Sequence, residues 1–215
     1  MMDIVIPVYR GFTALDAVGP YEVLSRLGRV RFVGEEIGPV TTETGMLSVM
    51  AEASLDEVSA CDVLVVPGGP TTRALTADAE WVSWIARIHE TTTWTTSVCT
   101  GSLLLGAAGL LRGVPATSHW TELETLAASW GAGPVGGRVV FAGEKIVTAA
   151  GVSAGIDMAL TLAARIAGED TARAIQLGIE YEPEPPFDSG SVDDADPALV
   201  AAVRAAMASQ AAGVS

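Results

Sequence analysis

A chain of 215 residues is long enough for one α/β domain with a full core and short for two. Its 49% apolar and 18% charged content argues against a disordered chain, and a net charge of −14 argues against a nucleic-acid partner. The two cysteines, Cys61 and Cys99, make neither a disulfide framework nor a zinc spacing, and the longest apolar run, Leu103 to Leu111, falls far short of the roughly 20 residues of a membrane span. No basic secretory region precedes the apolar start, so the expectation is a cytoplasmic protein with no membrane attachment.

In chain order, Ile4 to Tyr9 reads as a strand, followed by the loop Arg10 to Thr13 and a helix within Asp16 to Leu27. Pro20 suits a first helical turn, which places Asp16 just ahead of the helix, in the loop after the first strand. Val30 to Gly34 is a second strand, and Val40 to Glu43 with Leu47 to Val49 a small excursion or hairpin. Cys61 to Pro67 is a nearly continuous apolar run, as expected for a strand covered on both faces, and Gly68-Gly69-Pro70 ends it in a tight turn. Glu80 to Thr91 is an amphipathic helix with Trp81, Trp84, Ile85 and Ile88 on one side.

Trp94 to Val98 is rich in β-branched and aromatic residues and reads as a buried strand. The small, apolar Gly101 to Gly109 suits a helix packed closely on a sheet. Cys99 lies between them with no loop to spare. That is the layout of a nucleophile elbow, in which the free N–H groups at a helix start favour a thiolate. Further helices are expected over Trp120 to Trp130, Ser153 to Ala167 and Asp170 to Glu180, with a hairpin of Val139 to Ala142 and Lys145 to Thr148. Glu182 to Phe187 is extended, residues 188–196 form a polar connection, and Pro197 to Gln210 is an Ala-rich final helix. Strands alternating with helices predict one α/β domain over residues 1–215, a mostly parallel sheet with helices on both faces.

Three loops then leave the carboxyl ends of strands, carrying Asp16, the Gly68-Gly69 turn and Cys99. Ligands and chemistry gather at such ends. Singly, Asp16 would serve as a helix cap, the glycines as a turn and Cys99 as a buried apolar filler. Jointly they supply a carboxyl, backbone donors and a thiol, the parts of a reacting site. No cluster has metal-ligand spacing and no GxGxxG opens a helix after a strand, so no cofactor is expected.

Several segments carry a family resemblance: Leu15-Asp16-Ala17-Val18-Gly19-Pro20-Tyr21-Glu22, Val66-Pro67-Gly68-Gly69, Thr96-Ser97-Val98-Cys99-Thr100-Gly101-Ser102, Ala116-Thr117-Ser118-His119-Trp120 and Gln176-Leu177-Gly178-Ile179-Glu180-Tyr181 with Pro185-Pro186-Phe187. With these the chain resembles the ThiJ/PfpI superfamily, and within it the isocyanide hydratase branch. The resemblance implies a flavodoxin-like sandwich similar to class I glutamine amidotransferases and a cofactor-independent hydro-lyase that acts on small-molecule isocyanides as a homodimer. It further implies Cys99 as nucleophile, Asp16 as acid and base, Thr100 as the residue orienting the pair, and the Gly69 N–H as support for developing negative charge. Thr100 follows the nucleophile where protease and amidotransferase relatives carry His. His119 is read as structural or peripheral, and His89 as solvated on a surface helix.

Isocyanide hydration has no leaving group, so it needs a nucleophile and a proton carrier rather than a metal. The expected path runs through a Cys99 thioimidate to the N-formamide. Two other readings stand beside it. One is another thiol-dependent hydrolase or carbonyl-processing enzyme on the same residues. The other is a cysteine-based redox or ligand sensor. A self-contained regulator would need a further DNA-binding region of about one hundred residues.

Overall fold

The computed structural model describes residues 1–212, with side chains through Ser209; residues 213–215 of the expected domain lie outside the described residues. Strand β1 (Met2–Pro7) leads to α1 (Ala14–Leu24), β2 (Gly28–Gly34), the hairpin β3 (Gly38–Thr41) and β4 (Ser48–Ala51), and the short β5 (Ala53–Ser54). Then come β6 (Val63–Val66), α2 (Thr72–Leu75), α3 (Ala79–Thr91), β7 (Trp94–Val98) and α4 (Gly101–Ala107). The remainder is β8 (Pro115–Ala116), α5 (Leu123–Trp130), β9 (Gly133–Pro134), β10 (Val139–Ala142), β11 (Ile146–Ala149), α6 (Ala154–Ala167), α7 (Glu169–Gly178) and α8 (Pro197–Ala212).

Seven strands form one sheet in the order β10-β11-β7-β6-β1-β2-β5. All neighbours are parallel except the antiparallel β10–β11 pair. The Val-Leu-Val-Val of β6 is wholly buried, because helices cover both faces. One group packs α1 and α7 on α6; the other packs α2, α3 and α5 on α4. α3 starts at an Asp78 cap that accepts from the Glu80 and Trp81 N–H groups, and it buries Trp81, Trp84, Ile85 and Ile88 as its spacing predicts. Among the described residues no helix is long and apolar enough to cross a membrane.

The chain direction reverses around β1: β2 lies on one side of it and β6 and β7 on the other. This switch point is where an open α/β sheet leaves a crevice at its carboxyl edge. The turns after β1, β6, β7 and β11 all emerge there, which fixes which distant residues meet.

One element boundary differs from the sequence expectation in a way that matters. Asp16 lies inside α1, as its third residue, and Pro20 sits within the helix. Proline has no N–H, so the Asp16 carbonyl lacks its usual donor four residues on. The cost is accepted because Pro20 packs directly on α6. A Cβ on Gly155 would lie 3.2 Å from the Pro20 ring, and one on Gly19 would lie 3.0 Å from Ile156 Cγ1. α1 therefore lies close against α6, holding Asp16 at the sheet edge.

Candidate active site

The elbow predicted at Cys99 is present, with Cys99 in the left-handed region at φ 58° between β7 and α4. A non-glycine residue there costs about 1–3 kcal/mol and persists only where its surroundings fix it. Here they do. The Cys99 N–H is shared between the Ala149 and Ala150 carbonyls at 3.1 and 3.0 Å. Its carbonyl accepts from the Ser102 and Ser118 hydroxyls at 3.2 and 3.1 Å. The turn also needs Gly101, since a Cβ there would stand 2.1 Å from the Val66 carbonyl oxygen.

Asp16 is fully buried beside the thiol. Its Oδ2 accepts the Gly68 N–H at 2.9 Å, whereas Oδ1 has no hydrogen-bond partner. Burial outweighs both the Gly68 donor and the neighbouring thiol, and the charge of Glu43 adds to it, so the Asp16 pKa is raised to about 7. Glu43 is itself held at the start of α1, where Oε2 accepts the Ala14 N–H at 3.1 Å. Thus α1 is capped by Glu43, from the hairpin loop, and Asp16 is not spent on capping.

The thiol corrects one expectation. Backbone N–H groups of Val152 and Thr100 and the Thr100 hydroxyl favour a thiolate, as the elbow implies, but burial and the Asp16 charge raise the Cys99 pKa far above its usual value. Cys99 and Asp16 therefore titrate as a coupled pair.

Thr100 accepts the Gly69 N–H at Oγ1, 2.8 Å away, and its hydroxyl also meets the Gly69 carbonyl at 3.2 Å. The Gly69 N–H, expected to face developing charge, is therefore engaged by Thr100, and the Gly68 N–H is the donor aimed at the carboxyl. The structure thus gathers Asp16, Gly69, Cys99 and Thr100 at one edge, with the Gly69 N–H held by Thr100.

Gly69, Cys99 and Thr100 line a cavity of about 840 Å³, while Asp16 is buried out of its wall. His119, read from sequence as peripheral, is in its wall, buried, with Nδ1 2.8 Å from the Thr121 hydroxyl and its pKa lowered by burial. His89, read as solvated, is half-buried with Nδ1 2.9 Å from the Thr95 hydroxyl. Sequence reasoning missed five contributors: Val152, Glu43, Arg73 and the α8 residues Arg204 and Met207. Val152 had a readable signal. Ala150-Gly151-Val152-Ser153 joins β11 to α6 in a second sharp strand-to-helix turn, and Val152 sits at φ 31°. Among the described residues, no group of three or more His, Cys, Asp or Glu side chains is arranged to hold a metal ion.

Residues 2–165 match the DJ-1/PfpI family. The chain is 45% identical over 188 residues to an isonitrile hydratase of Pseudomonas putida, spanning 86% of this chain and 81% of that protein. It is similar to the solved structure of a ThiJ/PfpI family protein from Pseudomonas syringae, with a TM-score of 0.92, 37% identity, and coverage of 98% of this chain and 87% of that one. The HTH-type transcriptional regulator CdhR of Pseudomonas aeruginosa is 30% identical over 174 residues, which span 79% of this chain and 51% of the regulator. On the match over residues 2–165 and the isonitrile hydratase likeness over most of its length, this chain belongs to the DJ-1/PfpI family.

Proposed function

We propose that the chain is a cofactor-independent isocyanide hydratase, a hydro-lyase that converts R–N≡C and water to R–NH–CHO. The observation that carries this reading is a buried carboxyl with one free oxygen beside a strained cysteine that lines a cavity. The likeness to an isonitrile hydratase supports the same substrate class.

The chemistry follows from the proton count. Asp16, ionised near pH 7, takes the Cys99 proton as the sulfur bonds to the terminal isocyanide carbon. It returns that proton to the same carbon. The product is the thioimidate R–N=CH–S–Cys99, with sulfur and hydrogen on one carbon and no leaving group expelled. Asp16 is again a carboxylate and draws one proton from water as the oxygen adds to the thioimidate carbon; the second water proton passes from that oxygen to the nitrogen. The C–S bond then breaks as the formyl C=O forms, and the sulfur recovers the proton from Asp16. No redox equivalent enters or leaves. Thr100, held against Gly69, orients the thiol–carboxyl pair. For the Gly69 N–H to support developing charge, the Thr100 hydroxyl must first release it.

The thiol must stay reduced to act, which fits a cytoplasmic setting, and both cysteines are free. A homodimer is part of the proposal, on the exposed Leu177 and Phe187 (82% and 79% accessible).

The test is formamide production from a panel of alkyl and aryl isocyanides, followed by chromatography. Catalytic turnover is the expected result. Failure of every isocyanide, by a folded protein with a reduced Cys99, would remove the substrate assignment.

A further inference from the structure

The cavity over Cys99 is much larger than an isocyano group requires. At about 840 Å³ it falls in the range that holds a drug-sized ligand, so the rest of the substrate has room for polar contacts of its own. Cys99 is buried and Arg204 of α8 is exposed, so the thiol lies deep and the guanidinium toward the mouth.

The chain has 12 basic residues against 26 acidic ones, and two of the 12, Arg73 and Arg204, line this cavity. They are held differently. Arg73 Nη2 meets Glu122 Oε2 at 2.5 Å and the Thr125 hydroxyl at 3.3 Å, so its charge is already balanced. Arg204 instead lies over the face of Trp120, its guanidinium carbon 4.7 Å from the ring centroid. Among the described residues it has neither an ion pair nor a hydrogen bond. Stacking on a ring occupies the face of a guanidinium and leaves its in-plane N–H donors open. The cavity wall therefore holds one positioned cation whose hydrogen-bonding edge is unused.

We propose that Arg204 selects the substrate, binding a carboxylate at the far end of an isocyanide whose isocyano carbon reaches Cys99. The proposal deepens the isocyanide reading and rests on it. A carboxylate matches the guanidinium edge with two parallel hydrogen bonds, and one unpaired guanidinium balances one charge. The reverse orientation is disfavoured, because Asp16 behind Thr100 and Glu43 in the wall would meet the acid as like charges. A phosphate would bring further negative charge with Arg204 alone to meet it. No bond is made or broken at Arg204; its part is binding.

The test uses ω-isocyano carboxylates of graded chain length, each beside its neutral primary amide, with formamide production measured for the parent, Arg204→Gln and Arg204→Lys. In the parent, kcat/KM for the best-fitting acid is expected about tenfold above that for its amide, a charge-assisted hydrogen bond discounted for exposure. Arg204→Gln should erase that ratio through KM, with kcat within about twofold of the parent. Arg204→Lys keeps the charge without the planar edge and should retain about a third of the preference. Salt at about 0.5 M should weaken the parent's preference and leave Arg204→Gln unmoved. Any loosening of α8 slows acid and amide alike, so the ratio isolates the charge. A parent that favours no acid over its amide would overturn the proposal, and so would a parental ratio in Arg204→Gln. If no isocyanide turns over, alkylation of Cys99 by iodoacetamide, followed by mass spectrometry, decides instead. Protection by hexanoate but not hexanamide, lost in Arg204→Gln, would leave Arg204 as a carboxylate-binding residue while the isocyanide reading falls. Equal alkylation with and without hexanoate would then overturn Arg204 as well.

Discussion

Gly68 gives its N–H to Asp16 Oδ2 across 2.9 Å, and that single donor faces a carboxyl whose other oxygen is unpartnered. The approach is possible because residue 68 lacks a side chain. A Cβ there would stand 2.5 Å from Thr100 Oγ1 and 2.9 Å from Asp16 Oδ2. Gly68→Ala must therefore push apart the two residues that flank the thiol. The expected outcome is a loss of at least about a hundredfold in formamide production, as for loss of acid–base help. Overpacking should lower stability by about 1–3 kcal/mol, measured by denaturant unfolding. An alanine variant with parental rates would mean that the turn is only a turn.

The pH dependence follows from Asp16. With its pKa near 7, formamide production should rise through about pH 7 on the acid side, the limb belonging to the Asp16–Cys99 pair jointly. Glu43 contributes negative charge that raises Asp16. Glu43→Gln should move the limb to lower pH while its amide oxygen still accepts the Ala14 N–H. Rate–pH profiles of the two proteins give the shift. An unchanged limb would separate Glu43 from the carboxyl.

The cavity wall contributed by α8 sets another expectation. Met207 lines the same space as Cys99. Met207→Trp should lower kcat/KM for bulky aryl isocyanides about tenfold relative to methyl isocyanide, on the scale of a few methylenes of lost room. Competition between the two substrates measures the ratio. A uniform effect on both would place Met207 outside the substrate's reach.

The site was legible where one short stretch carries its own chemistry. Trp94 to Gly101 contains the strand, the pivot and the close-approach glycine, so the elbow at Cys99 could be read directly. What was lost depends on distant segments. Pro20 signalled a helix start by local rules, yet α6 tolerates it inside α1 through Gly155, and Asp16 moved from loop to helix as a result. The proton balance at Cys99 was only half legible for the same reason. The local N–H donors favour a thiolate, but the burial and the carboxyl that oppose it come from elements elsewhere in the chain. Helix α5 begins at Leu123 rather than Trp120, because the preceding residues place His119 in the cavity wall and Trp120 under the Arg204 guanidinium, 4.7 Å from its ring centroid. No periodicity reports such a contact between residues 84 positions apart.

Asp16→Asn also makes a stability prediction whose sign is unusual for a carboxyl. The folded-state pKa is raised from 3.8 to about 7, so the folded protein binds this proton more tightly than the unfolded chain does. Stability from this group is fully present below about pH 4 and is lost as pH rises to about 7. An amide has no charge to bury. The variant should therefore melt above the parent at pH 8, with an upper bound on the order of 4 kcal/mol, and the advantage should shrink as the pH falls toward 4. Calorimetry at the two pH values checks it.

The most direct test of the Cys99–Asp16 assignment is the rate of formamide production by Asp16→Asn at pH 8, beside the parent and Cys99→Ala. The amide keeps the Gly68 hydrogen bond but cannot carry a proton. General acid–base help is worth about a hundred- to ten-thousand-fold. The expected result is a folded Asp16→Asn protein slowed by at least about a hundredfold, with Cys99→Ala at background. Parental turnover by a folded Asp16→Asn protein would contradict the account and leave Cys99 without its proton carrier.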